Sequence, residues 1–370
     1  MIKKPDYILL GTVIALVVLG IFILFSISGS YSWEKFGSPY SFFLHQIIYG
    51  LLPGLILGFI AFKIPLDKLK KISFPLLILN IVLLGLVFTP VIGMSSGGAH
   101  RWLNLRVITF QPAELLKITF ILYLASWISK WGSNSGSLRD KNKYQFTGFF
   151  LPFIIVLGII SFLLIKQPDI STLGIIGSTA LVMYFVAATP VWQTFSLLLV
   201  AASALIILIK LAPYRLNRFL VFLNPSTDPM GIGYHIKQAL IAVGSGGIIG
   251  VGLGMSRQKF GFLPQSIGDS IFAIFSEETG FIGAFILISL FAILAWRGFL
   301  TAKNSSDKFS QLLAVGITAW ITIQAFINIA STIAIFPLSG IPLPFISYGG
   351  TALINELVAM GLLLNVSKRT

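Results

Sequence analysis

Long apolar segments without charge limit the fold of this chain more than any other feature. The first, residues 7–28, holds 22 residues and no charged side chain. About 20 apolar residues are enough to cross the hydrocarbon core of a bilayer. Over the whole chain 56% of residues are hydrophobic and 10% are charged, whereas a soluble domain carries about 25% charged residues. The sequence therefore predicts a protein that lies in a membrane.

Hydropathy predicts an all-α bundle of ten transmembrane helices in one membrane domain, residues 1–370. The first apolar stretch is longer than the core of a signal peptide, and no small-residue cleavage site follows it, so it is interpreted as a retained helix. A large loop, residues 212–276, separates the seventh and eighth spans. The predicted spans are residues 7–28, 43–62, 72–94, 112–128, 149–165, 174–188, 191–211, 280–300, 309–330 and 349–366.

The distribution of Lys and Arg predicts the orientation, because short cytoplasmic loops retain these residues. With the N-terminus inside, cytoplasmic segments hold most of the basic residues, including Arg139, Lys141 and Lys143. The short outward loops hold only four: Lys35, Arg101, Arg106 and Lys166. Both termini are therefore predicted to be cytoplasmic and the large loop extracytoplasmic. Basic clusters between apolar segments indicate anionic lipid rather than nucleic acid as the partner of the net charge of +14.

The large loop cannot be a simple linker, because apolar runs within it are interrupted by Gly and Pro. Irregular backbone at membrane depth persists only where protein or a water-filled cavity satisfies its polar groups. We therefore expect short interfacial or re-entrant helices here, next to a cavity that opens to the outside.

Two polar segments flank the middle spans. Glu114 and Lys117 are three residues apart and share one helical face. They are predicted to form an ion pair inside the bundle, and Lys117 or Arg101 is a candidate for binding an anionic ligand group as well. Asp169, after Pro168, either caps the next helix or acts as a functional carboxylate.

The richest segment runs from Gly250 to residue 280. Its glycines permit tight turns and close packing, and they do not form a dinucleotide fingerprint. Asp269 precedes the apolar run 271–275 and lies near Arg257 and Lys259 in sequence. A carboxylate in that setting suits general-base work on a sugar hydroxyl, and the cations suit a diphosphate leaving group.

Residues 337–351 contain several prolines and glycines, which predict a shaped outward loop rather than a helix. Ser347 in this loop has no His or acid at the spacing of a Ser-His-Asp hydrolase. The chain has no cysteine, and its three histidines are far apart in sequence. No cofactor is required by the sequence. Mg²⁺ or Mn²⁺ bridging a diphosphate to Asp269 stays open, since such ions need few protein ligands.

The chain resembles the SEDS family, the proteins of shape, elongation, division and sporulation, over almost its whole length. Within the family it is more similar to the division members than to the elongation members. The resemblance is carried by residues 98–102 (Gly-Ala-His-Arg-Trp), 111–114 (Gln-Pro-Ala-Glu), 167–169 (Gln-Pro-Asp), the glycines of 252–254 with 256–259 (Ser-Arg-Gln-Lys), Asp269, Glu277, Glu278 and 342–350 (Pro-Leu-Pro-Phe-Ile-Ser-Tyr-Gly-Gly).

The resemblance implies a peptidoglycan glycosyltransferase of the bacterial cytoplasmic membrane that polymerises lipid II into β-1,4-linked glycan and releases undecaprenyl diphosphate. It implies a class B penicillin-binding transpeptidase and the septal division complex as partners. It also places Asp269 at the family's essential outward aspartate, and Glu114 and Lys117 at a polar pair inside the bundle.

The sequence departs from the family around Asp269. The usual Leu-Pro-Glu-x-His-Thr-Asp-Phe is replaced by residues 263–270, Leu-Pro-Gln-Ser-Ile-Gly-Asp-Ser. The carboxylate remains, while its acidic, imidazole and hydroxyl neighbours are absent. A lipid II transporter, a scaffold that only recruits the transpeptidase, and an elongation-type polymerase remain alternatives to the division enzyme.

Overall fold

The protein is described by a computed structural model at residues 4–90, 92–96, 99–104, 109–131, 150–187 and 191–369. The predicted span 149–165 begins, and the span 174–188 ends, at a residue outside these ranges. Gly97 and Gly98, Arg106, and the basic residues 139, 141 and 143 also lie outside them.

Helices make up most of the described chain. In order they are α1 (Tyr7–Phe36), α2 (Ser41–Lys63), α3 (Leu66–Leu86), α4 (Pro112–Trp131), α5 (Leu151–Lys166), α6 (Ile170–Val186), α7 (Val191–Lys210), α8 (Pro213–Leu223), α9 (Ile232–Ser245), α10 (Ile271–Lys303), α11 (Lys308–Thr332) and α12 (Gly350–Ser367).

Within the described ranges, eight of these helices are long and apolar enough to cross a membrane: α1, α2, α3, α4, α7, α10, α11 and α12. Two shorter apolar helices, α5 and α6, accompany them. The prediction of a mostly helical membrane protein is therefore confirmed. The short helices α8 and α9 lie within the segment 212–276, where the sequence indicates them.

A small antiparallel sheet interrupts the helices and was not predicted by the all-α assignment. Its strands are β1 (Gly93–Ser96), β2 (Ala99–Asn104) and β3 (Thr109–Phe110), in the order β1-β2-β3. The predicted span 72–94 was too long at its end. The helix ends at Leu86. Pro90 disfavours helical backbone at Thr89, so the helix cannot continue to the predicted boundary. Met94, which the prediction placed in the span, pairs with Trp102 in the sheet.

The interior of the bundle is formed by α4, α11 and α12, whose side chains are mostly buried, while α2, α3 and α7 expose apolar faces as lipid-facing helices do. α11 packs against α4, α6 and α10, and α12 packs along α2. Small residues permit this close approach. A Cβ atom at Gly361 of α12 would lie 2.1 Å from the carbonyl oxygen of Gly58 in α2.

Helix α10 contains a break at Gly280, where φ is 66° and ψ is −165°. The backbone of residues 247–252 lies against this break: Val251 N–H donates to the Glu277 carbonyl (3.0 Å) and Gly252 N–H to the Glu278 carbonyl (3.1 Å). The part of α10 before the break is buried and begins at Ile271, two residues after Asp269. The break thus divides α10 into a short buried run next to the Asp269 loop and a longer apolar run that can cross the membrane.

Candidate active site

A polar cavity of about 520 Å³ lies where several helices begin. The first turns of α4, α6 and α12 reach it, and strand β2, helices α8 and α9 and the loops before α10 and α12 complete its wall. Its ionisable lining residues are Arg101, Glu114, Lys117, Asp169, Arg218, His235, Asp269 and Tyr348. The structure therefore brings together five of the site residues predicted from sequence: Arg101, Glu114, Lys117, Asp169 and Asp269.

Asp269 reaches the cavity from the loop before α10. Its Oδ1 atom is buried and has no hydrogen-bond partner among the described residues. Burial raises the pKa of the Asp269 carboxyl from 3.8 to about 6, and its own backbone N–H and the Arg218 guanidinium lower it in part. The carboxyl is therefore mostly ionised at neutral pH and has a higher proton affinity than an ordinary aspartate. These are the properties of a general base.

The cavity contains three cations that differ in their partners. Arg101 donates from Nε to the Gln167 carbonyl at 3.1 Å and from a terminal nitrogen to the Pro168 carbonyl. Arg218, on the exposed side of α8, donates to the Leu338 carbonyl at 3.4 Å. Arg218 was not singled out from the sequence, and its signal was the repeated arginine at 215 and 218 of an amphipathic helix.

Lys117 is the buried cation. Its Nζ lies 2.8 Å from Oε2 of Glu114 and 3.0 Å from Oε1 of Gln324, over the ring of Trp320. The predicted ion pair is thus present. Because both partners also line the cavity, this geometry is compatible with a ligand contact by Lys117 in addition to the pairing.

Asp169 caps α6 while it lines the cavity. Its carboxylate accepts from Thr172 N–H at 3.2 Å and from Thr172 Oγ1 at 2.9 Å. The structure therefore shows Asp169 as a helix cap, which is one of the two roles predicted for it.

His235 is a further cavity residue that sequence reasoning did not assign. Its Nε2 lies 2.6 Å from the hydroxyl of Ser270, the neighbour of Asp269. Burial, together with the Arg218 guanidinium, lowers the pKa of His235. An imidazole thus lies beside the Asp269 loop, although residues 263–270 contain no histidine.

Four predicted site residues lie elsewhere: Arg257, Lys259, Glu277 and Glu278 are not among the residues that line this cavity. Glu277 accepts from Ser256 Oγ and from Arg257 N–H (3.2 Å), and Lys259 Nζ lies 3.3 Å from Glu278 Oε1. These contacts join the glycine-rich segment to the break in α10.

Ser347 also has a structural position. It donates from Oγ to the Gly268 carbonyl at 2.7 Å and accepts from Leu343 N–H at 2.8 Å. Glu356 in α12 was missed, although a carboxylate inside a span is itself a signal. It is 2% exposed and accepts from Phe345 N–H at 2.7 Å.

Within the described residues, no group of three or more His, Asp or Glu side chains is placed to hold a metal ion. Asp269 with Mg²⁺ or Mn²⁺ therefore remains a prediction from the sequence.

The fold and the cavity define a multi-pass membrane protein with a polar, ionisable site where its helices begin. The chain belongs to the family of cell cycle proteins that comprises FtsW, RodA and SpoVE, whose profile matches residues 7–370.

Individual relatives cover nearly the whole chain. A probable peptidoglycan glycosyltransferase FtsW of Coxiella burnetii is 39% identical over 96% of this chain and 94% of its own length. Stage V sporulation protein E of Bacillus subtilis is 38% identical over 99% of this chain and 97% of its own length.

Solved structures give the same family. A chain from work on the structural coordination of polymerization and crosslinking by a peptidoglycan synthase complex has a TM-score of 0.76 and 26% identity, covering 98% of this chain and 97% of that one. The rod shape determining protein RodA of Thermus thermophilus has a TM-score of 0.70 and 26% identity, covering 98% and 96%.

Proposed function

We propose that this protein is a peptidoglycan glycosyltransferase that polymerises lipid II into β-1,4-linked glycan in the cavity around Asp269. The carrying observation is the Asp269 carboxyl, which has a buried oxygen without a hydrogen-bond partner among the described residues, in a cavity that also holds Arg101, Lys117 and Arg218. Burial raises the pKa of this carboxyl to about 6. The FtsW relatives are named peptidoglycan glycosyltransferases, which supports the same reaction.

In the proposed reaction, a hydroxyl oxygen of the acceptor sugar attacks the anomeric carbon of the donor. Asp269 takes the hydroxyl proton as the new carbon–oxygen bond forms. The bond between the anomeric carbon and the diphosphate breaks, and its electron pair leaves with undecaprenyl diphosphate. Arg218 and Arg101 stabilise this negative charge, and the first turns of α4, α6 and α12 face it with their N-terminal dipoles.

We further propose that ten helices cross the bacterial cytoplasmic membrane, with both termini in the cytoplasm and the cavity outside. Helices α5 and α6, of 16 and 17 residues, would then complete the bundle at about 24–26 Å each, close to the hydrocarbon thickness. The segment 212–276 would be extracytoplasmic. The division role with a class B penicillin-binding transpeptidase is supported by the FtsW relatives and by the similarity to a chain of a peptidoglycan synthase complex.

The test uses purified protein, the transpeptidase partner and fluorescent lipid II, with glycan products separated on a gel. Wild type should form long glycan, and Asp269→Asn should form none. Asp228→Asn is the matched control, because Asp228 only caps its own turn through Gly231 N–H (3.0 Å) and Ile232 N–H (2.9 Å) in the same segment. If wild type and Asp269→Asn both move lipid II across vesicles and neither makes glycan, the protein is a transporter and the proposal is wrong.

A further inference from the structure

The backbone around Asp269 is held by three consecutive carbonyl groups. Ile267 accepts from Tyr348 N–H at 2.9 Å, Gly268 from Ser347 Oγ at 2.7 Å, and Asp269 from Asn328 Nδ2 at 2.8 Å. All three donors belong to α11 or to the loop before α12. The segment that carries the carboxylate is therefore fixed from one side, while its side chain faces the cavity.

Asn328 connects two walls of the cavity. Its Nδ2 atom donates to the Asp269 carbonyl and also to the Ile341 carbonyl at 2.7 Å, and the residue is fully buried. A short side-chain amide supplies two protons from one nitrogen, which serine, threonine and aspartate cannot do. The two accepting carbonyls also fix the orientation of the amide, since its oxygen could not face them.

The wall held by Asn328 lies beside the Asp269 carboxylate. A Cβ atom at Gly340 would lie 3.8 Å from Oδ2 of Asp269, and Gly340 and Ile341 both line the cavity. The distance between the Asp269 loop and this wall therefore limits where a sugar hydroxyl can approach Oδ2. The Asn328 amide is bonded to both sides of this gap and therefore helps to set that distance.

We propose that Asn328 is a positioning residue of the glycosyl transfer, which fixes the Asp269 carboxylate against the Gly340–Ile341 wall. This inference rests on the proposed function. Asn328 is not among the residues that line the cavity, and it acts through the backbone of Asp269 and Ile341. Misplacing a reacting group by about 1 Å can lower a rate by about 100-fold, so loss of the bridge is expected to reduce kcat rather than substrate binding.

The chain offers a matched control at another place in the bundle. Asn365 Nδ2 bridges the Ala61 carbonyl (3.0 Å) and the Ile64 carbonyl (2.7 Å) and is also buried. It has the same chemistry, and it is not among the residues near the cavity. Asn365→Ala and Asn328→Ala therefore remove equivalent bridges, of which only one reaches Asp269.

The experiment measures kcat, KM and the pH–rate profile of glycan synthesis for both variants with the transpeptidase partner, and thermal unfolding in detergent. We expect Asn328→Ala to lower kcat at least about tenfold with KM within about twofold of wild type. The acidic limb of its pH–rate profile should move below pH 6, because a carboxyl that is no longer held against the wall is better hydrated and its pKa falls. The ionisable groups that face Asp269 from the surrounding elements are unchanged: Arg101, Glu114, Lys117, Asp169, Arg218, His235 and Tyr348. Asn365→Ala should lose thermal stability while kcat and the limb stay as in wild type.

Equal kcat losses in the two variants, or an unmoved acidic limb in Asn328→Ala, would overturn the positioning role. Ser347→Ala is the second variant if Asn328→Ala does not fold. It frees the Gly268 carbonyl and also leaves Leu343 N–H without its acceptor, and it should move the limb in the same direction. An unmoved limb in Ser347→Ala overturns the role too. Failure of the proposed function is distinct, since it appears as wild type without glycan synthesis or Asp269→Asn with it.

Discussion

Lys259 Nζ lies 3.3 Å from Oε1 of Glu278, and both side chains are buried. Ser26 Oγ of α1 donates to the other oxygen of Glu278 at 2.8 Å, and Lys259 also donates to the Gly254 carbonyl. The pair therefore joins α1, the glycine-rich segment and the break in α10. Its contacts indicate that Lys259 stabilises the fold, whereas the sequence predicts that this lysine binds substrate.

Replacing Lys259 by Met should destabilise the protein, because Glu278 would remain as a buried charge without its cation. Breaking such a pair costs about 3–5 kcal/mol. Thermal unfolding in detergent measures the loss. The double variant Lys259→Met with Glu278→Gln should recover part of it, with KM for lipid II near wild type. A folded single variant with a greatly raised KM would instead favour substrate binding by Lys259.

The Glu114–Lys117 pair can be tested for a second role in the same way. Lys117→Met leaves Glu114 unpaired inside the bundle and should lower folded yield and activity. The double variant Lys117→Met with Glu114→Gln should restore folding. If Lys117 also binds the diphosphate, the folded double variant has a glycan synthesis rate well below wild type, by about 10-fold or more. A wild-type rate in the double variant would show that the pair is structural only.

Helix positions followed from the sequence because lipid imposes a simple length and composition rule. The predicted end of the third span failed where apolar residues continue past the helix into a turn and strand β1. Hydropathy does not distinguish these conformations. The sheet was missed because its strands are short and mixed in polarity, although β2 carries Arg101 to the cavity.

Part of the site could be predicted from the sequence because a charged side chain inside a membrane span is costly and is retained where it is paired or functional. Glu114 and Lys117 satisfied that criterion, whereas Asp269 was singled out by its place before an apolar run and by the family resemblance; all three line one cavity. Proximity in sequence misled for Arg257 and Lys259, since the chain turns away between them and Asp269. Arg218, which lies about 50 residues before Asp269, enters the cavity through tertiary packing, which a single sequence does not show.

Gly280 should tolerate no side chain. Its φ of 66° disfavours other residues, and a Cβ atom would lie 2.3 Å from the backbone nitrogen of Gly250. Strained backbone alone costs roughly 1–3 kcal/mol, and backbone atoms cannot move aside as a flexible side chain would. Gly280→Ala should therefore abolish or strongly reduce folded protein on size exclusion. Gly244→Ala is the control, since nothing lies within 4 Å of its Cβ position, and it should fold normally.

The absence of cysteine makes the proposed orientation directly testable. Thr227 in the segment 212–276 and Ser306 between α10 and α11 are both exposed. A membrane-impermeant thiol reagent should label Thr227→Cys in intact spheroplasts and label Ser306→Cys only after lysis. Labelling in the reverse order would place the cavity in the cytoplasm, out of reach of the outward-facing cell wall.

Asp269 should make activity and stability respond to pH in opposite directions. With a pKa of about 6, the basic form falls to about one-tenth at pH 5, so kcat should drop about tenfold there relative to its plateau above pH 7. Because the folded-state pKa lies above the ordinary 3.8, the folded protein binds more protons than the unfolded chain between these values. Stability is therefore lost as pH rises through this window, and above it the ionised carboxylate destabilises the fold fully. Asp269→Asn should unfold a few degrees above wild type at pH 7.5, with the difference shrinking towards pH 4. A variant less stable than wild type at pH 7.5 would contradict the burial of an ionised carboxylate at this position.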